Sequence, residues 1–574
     1  MKSLLKYLGK AKLFIAIALI IKVSATLIEL AIPYILSHIL DNVVPTKSIK
    51  TIVFYGIAMI ACACLACVGN ITANRMAARV ARNTTKELRH DLFVRTMGLS
   101  SKQIDKYTIP SLESRLTSDT YHVHHFVGMS MRMGVRAPIL LVGGLFVTAT
   151  LDPILTLVMA LILPFITFTI YFISRKGIPL FRKIQHSVDG MTRIVREDAQ
   201  GIRVIKALSK VDYEKRRYDK ANKELVADGT RADTTMAVSN PVVTLLLNIG
   251  LVSVIVVGAF RVNGNFSEVG KIIAFIQYFT MISMAMRGLA RIFIGYTRGA
   301  ASAQRIAEVI NTPHDLEVQS EDKHPRIETD DIITFEDVSF SFGGKKNTVS
   351  NISFSLKKGQ SIGIIGATGS GKTTLLQLLM RFYDVDSGSI RIEGRDVRTI
   401  PHGELNTKFG VVMQNDFIYA GSIRDNVDFG RNIDDAAIRR AARIAQAAEF
   451  IEAYDDGYDH MLNSKGTNLS GGQRQRLLIT RAVAGDPQIL VLDDSSSALD
   501  YKTDARLRHA INEELADVTT VIVAQRVSSV MNCDIILVLD DGELIGKGTH
   551  EELLLACDVY KEISDSQIGG AFVD

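Results

Sequence analysis

The stretch from Gly366 to Thr373 reads Gly-Ala-Thr-Gly-Ser-Gly-Lys-Thr, and its residue types suit the binding of a triphosphate. Glycines let backbone N–H groups turn towards phosphate oxygens, Lys372 can reach the terminal phosphates, and the Thr373 hydroxyl can ligate Mg²⁺. The apolar run Ser361–Ile365 precedes the loop, and Thr374–Met380 follows it with helical spacing. Strand, loop and helix in this order are the context that a phosphate loop requires, so we predict ATP and Mg²⁺ as ligands.

An acidic residue further along the chain supports this prediction. Ile489–Asp493 is an apolar run that ends in a carboxylate, which is typical of a buried strand. A carboxylate at the end of a parallel strand faces the phosphate loop and can hold Mg²⁺. Any apolar strand can end in Asp, so Asp493 carries weight only together with the loop.

The residues that could bind ATP lie in the second half of the chain, and the first half has a different composition. The chain has 574 residues, too many for one core, and a net charge of +5, which is too mild to indicate a nucleic-acid partner. Up to about Leu289 the sequence holds repeated apolar stretches of the length that crosses a bilayer, and beyond Pro313 it holds none. We predict six spans, at about Leu13–Leu36, Thr51–Gly69, Val135–Leu151, Pro153–Ser174, Val238–Phe260 and Ile272–Ile294. A cleaved signal peptide is the alternative for the first.

Positive charge predicts the orientation of the spans. Lys and Arg concentrate in two long connections, one including Arg75 and Arg82 and the other including Lys206 and Arg217. By the positive-inside bias these connections and both termini face the cytoplasm. Their apolar positions keep helical spacing, so we predict helices that project beyond the bilayer; disordered basic loops are the alternative.

Some polar residues in the membrane half remain open to two interpretations. Lys22, Glu29 and Arg287 are costly in a bilayer unless they face a wet cavity or a partner charge, so they either line a substrate path or form interhelical ion pairs. Two further groups, Cys62/Cys64/Cys67 and His122/His124/His125, have the residue types of metal sites but no acidic partners beside them, which favours packing roles.

Two further motifs lie between the loop and Asp493, and a third follows Asp493. The first two are Gln414, which follows Phe409–Met413, and Leu469-Ser470-Gly471-Gly472-Gln473; the third is Ser497–Asp500. In these motifs the chain resembles the ATP-binding cassette (ABC) family, as its Q-loop, signature sequence and D-loop. Six spans ahead of one cassette resemble an exporter-type half-transporter, and in detail the subunits of bacterial heterodimeric multidrug exporters. The implied fold is an α-helical membrane domain of six transmembrane helices with long cytoplasmic extensions, followed by an α/β P-loop nucleotide-binding domain.

The resemblance implies a head-to-tail pair of cassettes, with each ATP between one chain's phosphate loop and the other's signature. Phe342 takes the place of the family's adenine-stacking aromatic, and segments near Ser111–Thr117 and Gly201–Leu208 resemble coupling helices. The implied nucleotide-binding residues are Phe342, Gly366, Thr368, Gly369, Ser370, Gly371, Lys372, Thr373, Thr374, Gln414, Ser470, Gly471, Gly472, Gln473 and Asp500. The implied metal-binding residues are Thr373, Gln414 and Asp493, and the catalytic ones are Asp494, Gln525, Gln414 and Lys372.

Two positions depart from the family pattern. Asp494 stands where the family has a catalytic Glu, and Gln525 where it has a switch His. One methylene less withdraws the carboxylate by about 1 Å, a misplacement that can cost about 10²-fold in rate, and an amide cannot take up charge. We therefore expect firm ATP binding but slow hydrolysis at this chain's own loop, and an intact signature that completes the site of a different subunit.

These features together predict a membrane domain at 1–310, a linker at 311–330 and a nucleotide-binding domain at 331–574. The expected setting is a bacterial cell membrane, with a second half-transporter, the lipid bilayer and a small amphipathic substrate as partners. The alternatives are a homodimeric exporter, an exporter dedicated to one lipid or peptide, and an ATP-gated regulatory membrane subunit.

Overall fold

A computed structural model of the chain describes residues 2–9, 11–344, 346–495 and 497–568. It divides into two units, Met1–Met97 with Thr108–Thr312, and Gly98–Tyr107 with Pro313–Asp574. The predicted boundary at residue 310 did not anticipate the grouping of Gly98–Tyr107 with the second unit. Hydrogen bonds explain it, because the Gln103 side chain donates to the carbonyl of Pro313 at 2.7 Å and Ser100 Oγ donates to Asp315 Oδ2 at 2.7 Å.

The first unit is helical and contains no strand among its described residues. Its α-helices, with the short α4 between the two parts of the unit, are α1 Lys2–Gly9, α2 Lys12–His38, α3 Ile49–Met97, α4 Ser101–Tyr107, α5 Ile109–Ser114, α6 Thr120–Leu151, α7 Pro153–Ala207, α8 Val211–Ala237, α9 Ser239–Asn263 and α10 Val269–Ile310. The coupling segment predicted at Ser111–Thr117 overlaps α5 in the first unit, whereas its neighbour α4 belongs to the second unit.

Six helical segments among the described residues are long and apolar enough to cross a membrane, which confirms the predicted number of spans. The helices are longer than a bilayer requires. About 20 residues cross the hydrocarbon core, whereas α3 has 49 residues and α7 has 55. At about 1.5 Å per residue α3 is about 74 Å long, so it extends well beyond a core of about 30 Å. The alternative of disordered basic loops is therefore wrong for these connections.

Local sequence fixes where spans begin. Asp152 caps the N-terminus of α7, since its Oδ1 accepts hydrogen bonds from the backbone N–H groups of Ile154 and Leu155 at 3.0 and 3.2 Å. Pro153 is the first helical residue, a position at which the missing N–H costs nothing. Asp152 also accepts from Arg261 Nε at 2.9 Å, which ties the start of α7 to the end of α9.

The second unit combines strands and helices. Its strands are β1 Asp331–Phe340, β2 Val349–Lys357, β3 Ser361–Gly366, β4 Ser387–Ile392, β5 Arg395–Asp396, β6 Phe409–Val412, β7 Gly421–Ser422, β8 Met461–Leu462, β9 Ile489–Asp493, β10 Thr519–Val523, β11 Ile535–Asp540 and β12 Glu543–Gly548. Its helices are α11 Lys372–Leu379, α12 His402–Thr407, α13 Ile423–Asp428, α14 Asp435–Ile444, α15 Ala448–Glu452, α16 Gly471–Val483, α17 Tyr501–Glu514, α18 Val527–Val530, α19 His550–Ala556 and α20 Asp558–Ile568.

A six-stranded sheet organises this unit, in the order β12-β11-β3-β10-β9-β6. All neighbours are parallel except β12, which pairs antiparallel with β11. Alternate residues of β9 enter two apolar clusters: Ile489 and Val491 pack with the residues of α11, and Leu490 and Leu492 with those of α16. Because β3 and β9 run parallel, the phosphate loop after β3 and the carboxylate at the end of β9 lie at the same edge of the sheet. A separate antiparallel sheet has the order β2-β1-β4-β5, and β7 pairs with β8.

Candidate nucleotide-binding site

The phosphate loop connects β3 to α11 at the edge where the parallel strands end. Gly371, immediately before α11, has φ +96°, and a Cβ there would lie 2.6 Å from Val349 Cγ1. Only glycine fits this conformation and this space. The hydroxyl of Ser370 is buried and has no hydrogen-bond partner among the described residues. A buried donor without a partner inside a glycine-rich loop is what a loop built for an anionic ligand would contain.

Lys372 folds back over this loop. Its Nζ donates to the carbonyl oxygens of Gly366 and Ala367 at 2.9 and 2.8 Å. Burial lowers the pKa of Lys372, and the nearby carboxylates of Asp493 and Asp494 partly oppose this effect. The ammonium group therefore lies over the loop. When a nucleotide binds, its terminal phosphates would replace the two carbonyl oxygens as hydrogen-bond partners of Lys372.

Oxygen ligands for a hard cation lie beside the lysine. Thr373 Oγ1 donates to Asp493 Oδ2 at 3.0 Å, and the backbone N–H of Gln414 also bonds to this carboxylate. Burial is the main cause of the raised pKa of Asp493, and the bond from Thr373 opposes it. A hydroxyl and a carboxylate in contact are the ligand types that Mg²⁺ prefers, so these residues fit the metal that the sequence predicts.

The two residues that depart from the family pattern contact each other. Gln525 Nε2 donates to Asp494 Oδ2 at 3.4 Å, a long hydrogen bond. Asp494 follows β9 with φ +49°, a left-handed conformation that Asp adopts more readily than most residues. Burial raises the pKa of Asp494, while Arg526 and Lys372 act in the opposite direction. The Gln525 amide thus occupies one of the two oxygens of the Asp494 carboxylate.

A cavity of about 240 Å³ gathers most of the predicted residues. Its lining includes Thr368, Gly369, Gly371, Lys372, Thr373, Thr374, Gln414, Asp493, Asp494 and Gln525. The predicted residues that are not part of that lining are Gly366 and Ser370 of the loop, together with Phe342, Ser470, Gly471, Gly472, Gln473 and Asp500. One chain therefore assembles the phosphate end of the site only.

The signature residues sit at the N-terminus of α16. Ser470 caps this helix: its Oγ accepts from the N–H of Gln473 at 3.2 Å, and Gln473 Oε1 accepts from the N–H of Ser470 at 2.9 Å. This reciprocal capping box fixes the loop before the helix. Ser470 and Gly471 are exposed, so the positive end of the helix is accessible to a ligand or a second protein.

Comparison with known proteins decides the family. The family described as ABC transporter transmembrane region matches residues 15–286, and the one described as ABC transporter matches residues 349–497. The chain is 34% identical over 574 residues to the uncharacterized ABC transporter ATP-binding protein YfiB of Bacillus subtilis (strain 168), covering 99% of each chain. It belongs to the ABC transporter family.

Other relatives agree with this assignment. The uncharacterized ABC transporter ATP-binding protein MT1311 of Mycobacterium tuberculosis (strain CDC 1551 / Oshkosh) is 32% identical over 558 residues, or 96% of each chain. A solved structure of a bacterial Atm1-family ABC exporter with ATP bound superposes with a TM-score of 0.80 at 22% identity, covering 98% of this chain and 99% of that one. The chain thus has the fold of an ABC exporter, and the family implies ATP binding and hydrolysis coupled to transport.

Sequence patterns did not indicate the roles of two further residues of this ABC cassette, Tyr383 and Gln475. Tyr383 packs edge-to-face on Phe342 with ring centroids 5.2 Å apart, and its hydroxyl donates to Asp105 Oδ2 of α4 at 2.7 Å. Burial and this bond raise the pKa of Tyr383 to about 12. Gln475 donates to Ser497 Oγ at 3.1 Å and accepts from the N–H of Ala498 at 2.9 Å, so it joins the signature helix to the D-loop. The sequence signal for a role of Gln475 is its position two residues after Gln473, at the end of the signature motif.

Asp500 also has a structural role that the motif did not indicate. It caps α17, accepting from the N–H of Thr503 at 2.9 Å and from its hydroxyl at 2.7 Å. These bonds lower the pKa of Asp500. A D-loop aspartate held ionised in this way has a fixed position at the surface of the cassette.

Proposed function

We propose that this chain is one subunit of a heterodimeric, multidrug-type exporter that uses ATP to move small amphipathic compounds out of a bacterial cell. Its spans lie in the cell membrane, and both termini and the nucleotide-binding domain, residues 331–574, face the cytoplasm. The excess of Lys and Arg in the long connections supports this orientation. The single observation that carries the proposal is the contact between Asp494 and Gln525 in a cassette whose signature is intact.

The chain's own site binds ATP through the loop amides and Lys372, with Phe342 beside the base. Thr373, Asp493 and Gln414 would hold Mg²⁺, which neutralises charge on the phosphates when it is bound. Lys372 stabilises negative charge on the phosphates, and Asp494 positions water weakly because its carboxylate is short and shared with Gln525. Turnover at this site is therefore slow while occupancy is high.

The signature residues serve the partner's site. Ser470 and Gly471 are exposed at the capped start of α16, a position from which they could contact a nucleotide held by another subunit. The partner supplies a Glu and a His where this chain has Asp494 and Gln525. ATP binding closes the pair because the nucleotide has more contacts in the closed state, and hydrolysis at the partner's loop resets it.

The test restores both residues in the complete transporter purified from its native membrane. Asp494→Glu with Gln525→His is expected to raise the ATPase rate, by up to about 10²-fold at this chain's site, because it returns a misplaced carboxylate and an ionisable group. Lys372→Ala added to this variant should remove the gain, which assigns it to the chain's own loop. Purified chain alone should hydrolyse ATP slowly. Brisk hydrolysis by the chain alone, or no gain in a folded variant, would contradict the proposal.

A further inference from the structure

The membrane spans have an unusual balance of charge. The six predicted apolar stretches contain the cations Lys22, Arg136, Arg287 and Arg291, and Glu29 is their one carboxylate. Arg132 lies one helical turn before Arg136. Ionisable groups at this depth are costly and are retained where they face a wet cavity, a partner charge or a ligand. Five cations and one anion cannot neutralise each other.

Contacts within the first unit show which charges are already compensated. Arg136 Nη2 pairs with Glu29 Oε1 at 2.5 Å, which uses the carboxylate. Lys22 is 4% exposed, and its Nζ donates to the amide oxygens of Asn70 and Asn74 at 2.7 and 3.2 Å. Neutral amides hold the ammonium group in place but leave its charge uncompensated.

The arginines of α10 lie at the same level as those of α6. A Cβ on Gly288 would be 3.8 Å from Ala137 Cβ and 3.9 Å from Met133 Cε. Gly288 is adjacent to Arg287 and three residues before Arg291, and Met133 and Ala137 are adjacent to Arg132 and Arg136. The four arginines therefore lie within about one helical turn of the same depth. Arg287 lies 18 residues after Val269, about 27 Å along the helix, which places it in the inner part of the bilayer in the proposed orientation.

The α10 arginines are accessible. Arg287, Arg291 and also Arg132 of α6 are exposed, and among the described residues none of the three has a carboxylate partner. Exposed guanidinium groups at this depth require an aqueous or anionic neighbour, and two parallel N–H groups on each suit a phosphate or carboxylate.

We infer that Lys22, Arg132, Arg136, Arg287 and Arg291, the cationic cluster, form an entry site for the negatively charged head of an amphipathic substrate. This rests on the proposed export function and adds its substrate class: an amphipathic anion with a phosphate, sulfonate or carboxylate head. A free small molecule and an anionic lipid share this chemistry. Glu29 neutralises one of the five charges, and the cluster keeps a net positive charge that disfavours lipophilic cations.

The test compares two dyes on one scaffold and of opposite charge, anionic carboxyfluorescein and cationic rhodamine 123. Their binding to the complete transporter in phosphatidylcholine nanodiscs is measured by fluorescence polarisation without ATP. We expect the anion to bind about tenfold more tightly or better, and Arg287→Gln with Arg291→Gln to weaken only the anion, by about tenfold or more for the lost charged hydrogen bonds. Arg216→Gln, on the polar helix α8, is the matched control.

The remaining arms separate the sources and the two proposals. Displacement of the dye when phosphatidylglycerol is included would identify an anionic lipid as the occupant, and retention of the dye a free amphiphile. Equal or tighter binding of rhodamine 123, or anion binding that the double variant leaves unchanged, would overturn the inference. Because nucleotide is absent, this result is independent of which site hydrolyses ATP: an error about the two sites would show in ATPase rates and leave the dye preference intact.

Discussion

The phosphate-loop side and the signature side of the same cassette differ in how completely they match the family pattern. On the first side, Asp494 stands where the family pattern has a Glu one carbon longer, and it accepts a long hydrogen bond from the amide of Gln525. On the second, Ser470 and Gln473 form a complete capping box and Asp500 caps the next helix. In the proposed function, the residues for nucleotide binding are present on both sides, and only those for hydrolysis at the chain's own loop are altered.

The proposed function implies that nucleotide binding and hydrolysis depend on separate sets of residues. The loop glycines, Lys372 and Thr373 hold charge that exists in bound ATP, whereas the residue at position 494 acts only on the attacking water. A subunit can therefore lose the second set and still contribute to closure of the dimer. In the proposed heterodimer the signature must stay intact, because turnover at the partner's site would depend on it.

The largest expected effect breaks the comparison on its intact side. Ser470→Ala removes a donor from the partner's active site and should lower the ATPase rate of the complete transporter by about 10²-fold. Asp494→Asn, on the altered side, should change it less than about twofold. Ser470 is also a helix cap, so Thr549→Ala, which removes an equivalent capping box at α19, is the control for loss of a cap. Equal effects of the first two variants would mean that both sites turn over alike.

A smaller effect sharpens the account of binding on the altered side. Phe342→Ala should weaken ATP binding to the chain's own site by about tenfold, since stacking of a base on a ring is worth about 1–3 kcal/mol. Phe342→Tyr should keep the affinity because it keeps the ring. Phe429→Ala, an exposed ring elsewhere in the unit, is the control. Nucleotide binding is measured by titration at a temperature where hydrolysis is negligible; unchanged affinity in Phe342→Ala would remove the ring from the site.

The smallest expected effect concerns stability. Burial raises the pKa of Asp494 in the folded state, so its protonated form is favoured there and ionisation costs stability as the pH rises through that pKa. Asp494→Asn should therefore raise the thermal midpoint at neutral pH, and the gain should shrink in acid. The group is only partly buried, so we expect less than about 4 °C. Asp500→Asn, whose parent carboxylate has a lowered pKa, should give no gain; a matching gain there would contradict the explanation.

Local motifs predicted the phosphate end of the site and the number of spans. The loop, Asp493 and the strand before it were readable because each depends on neighbours within a few residues of it in sequence. The contact of Tyr383 with Asp105 joins positions 278 apart, and no local pattern announces a pair at that separation. The grouping of Gly98–Tyr107 with the second unit has the same origin, since the bond from Gln103 to Pro313 spans 210 residues. The capping roles of Ser470 and Asp500 could be predicted from their positions before helices. Their match to family motifs indicated only a role in nucleotide binding.

The most direct test of the central claim locates the slow site. The complete transporter is allowed to turn over with photoreactive azido-ATP and vanadate, is cross-linked, and the nucleotide on each subunit is identified by mass spectrometry. We predict ATP on this chain's loop and trapped ADP on the partner's. ADP trapped equally on both subunits, or preferentially on the peptide containing Lys372, would contradict the account.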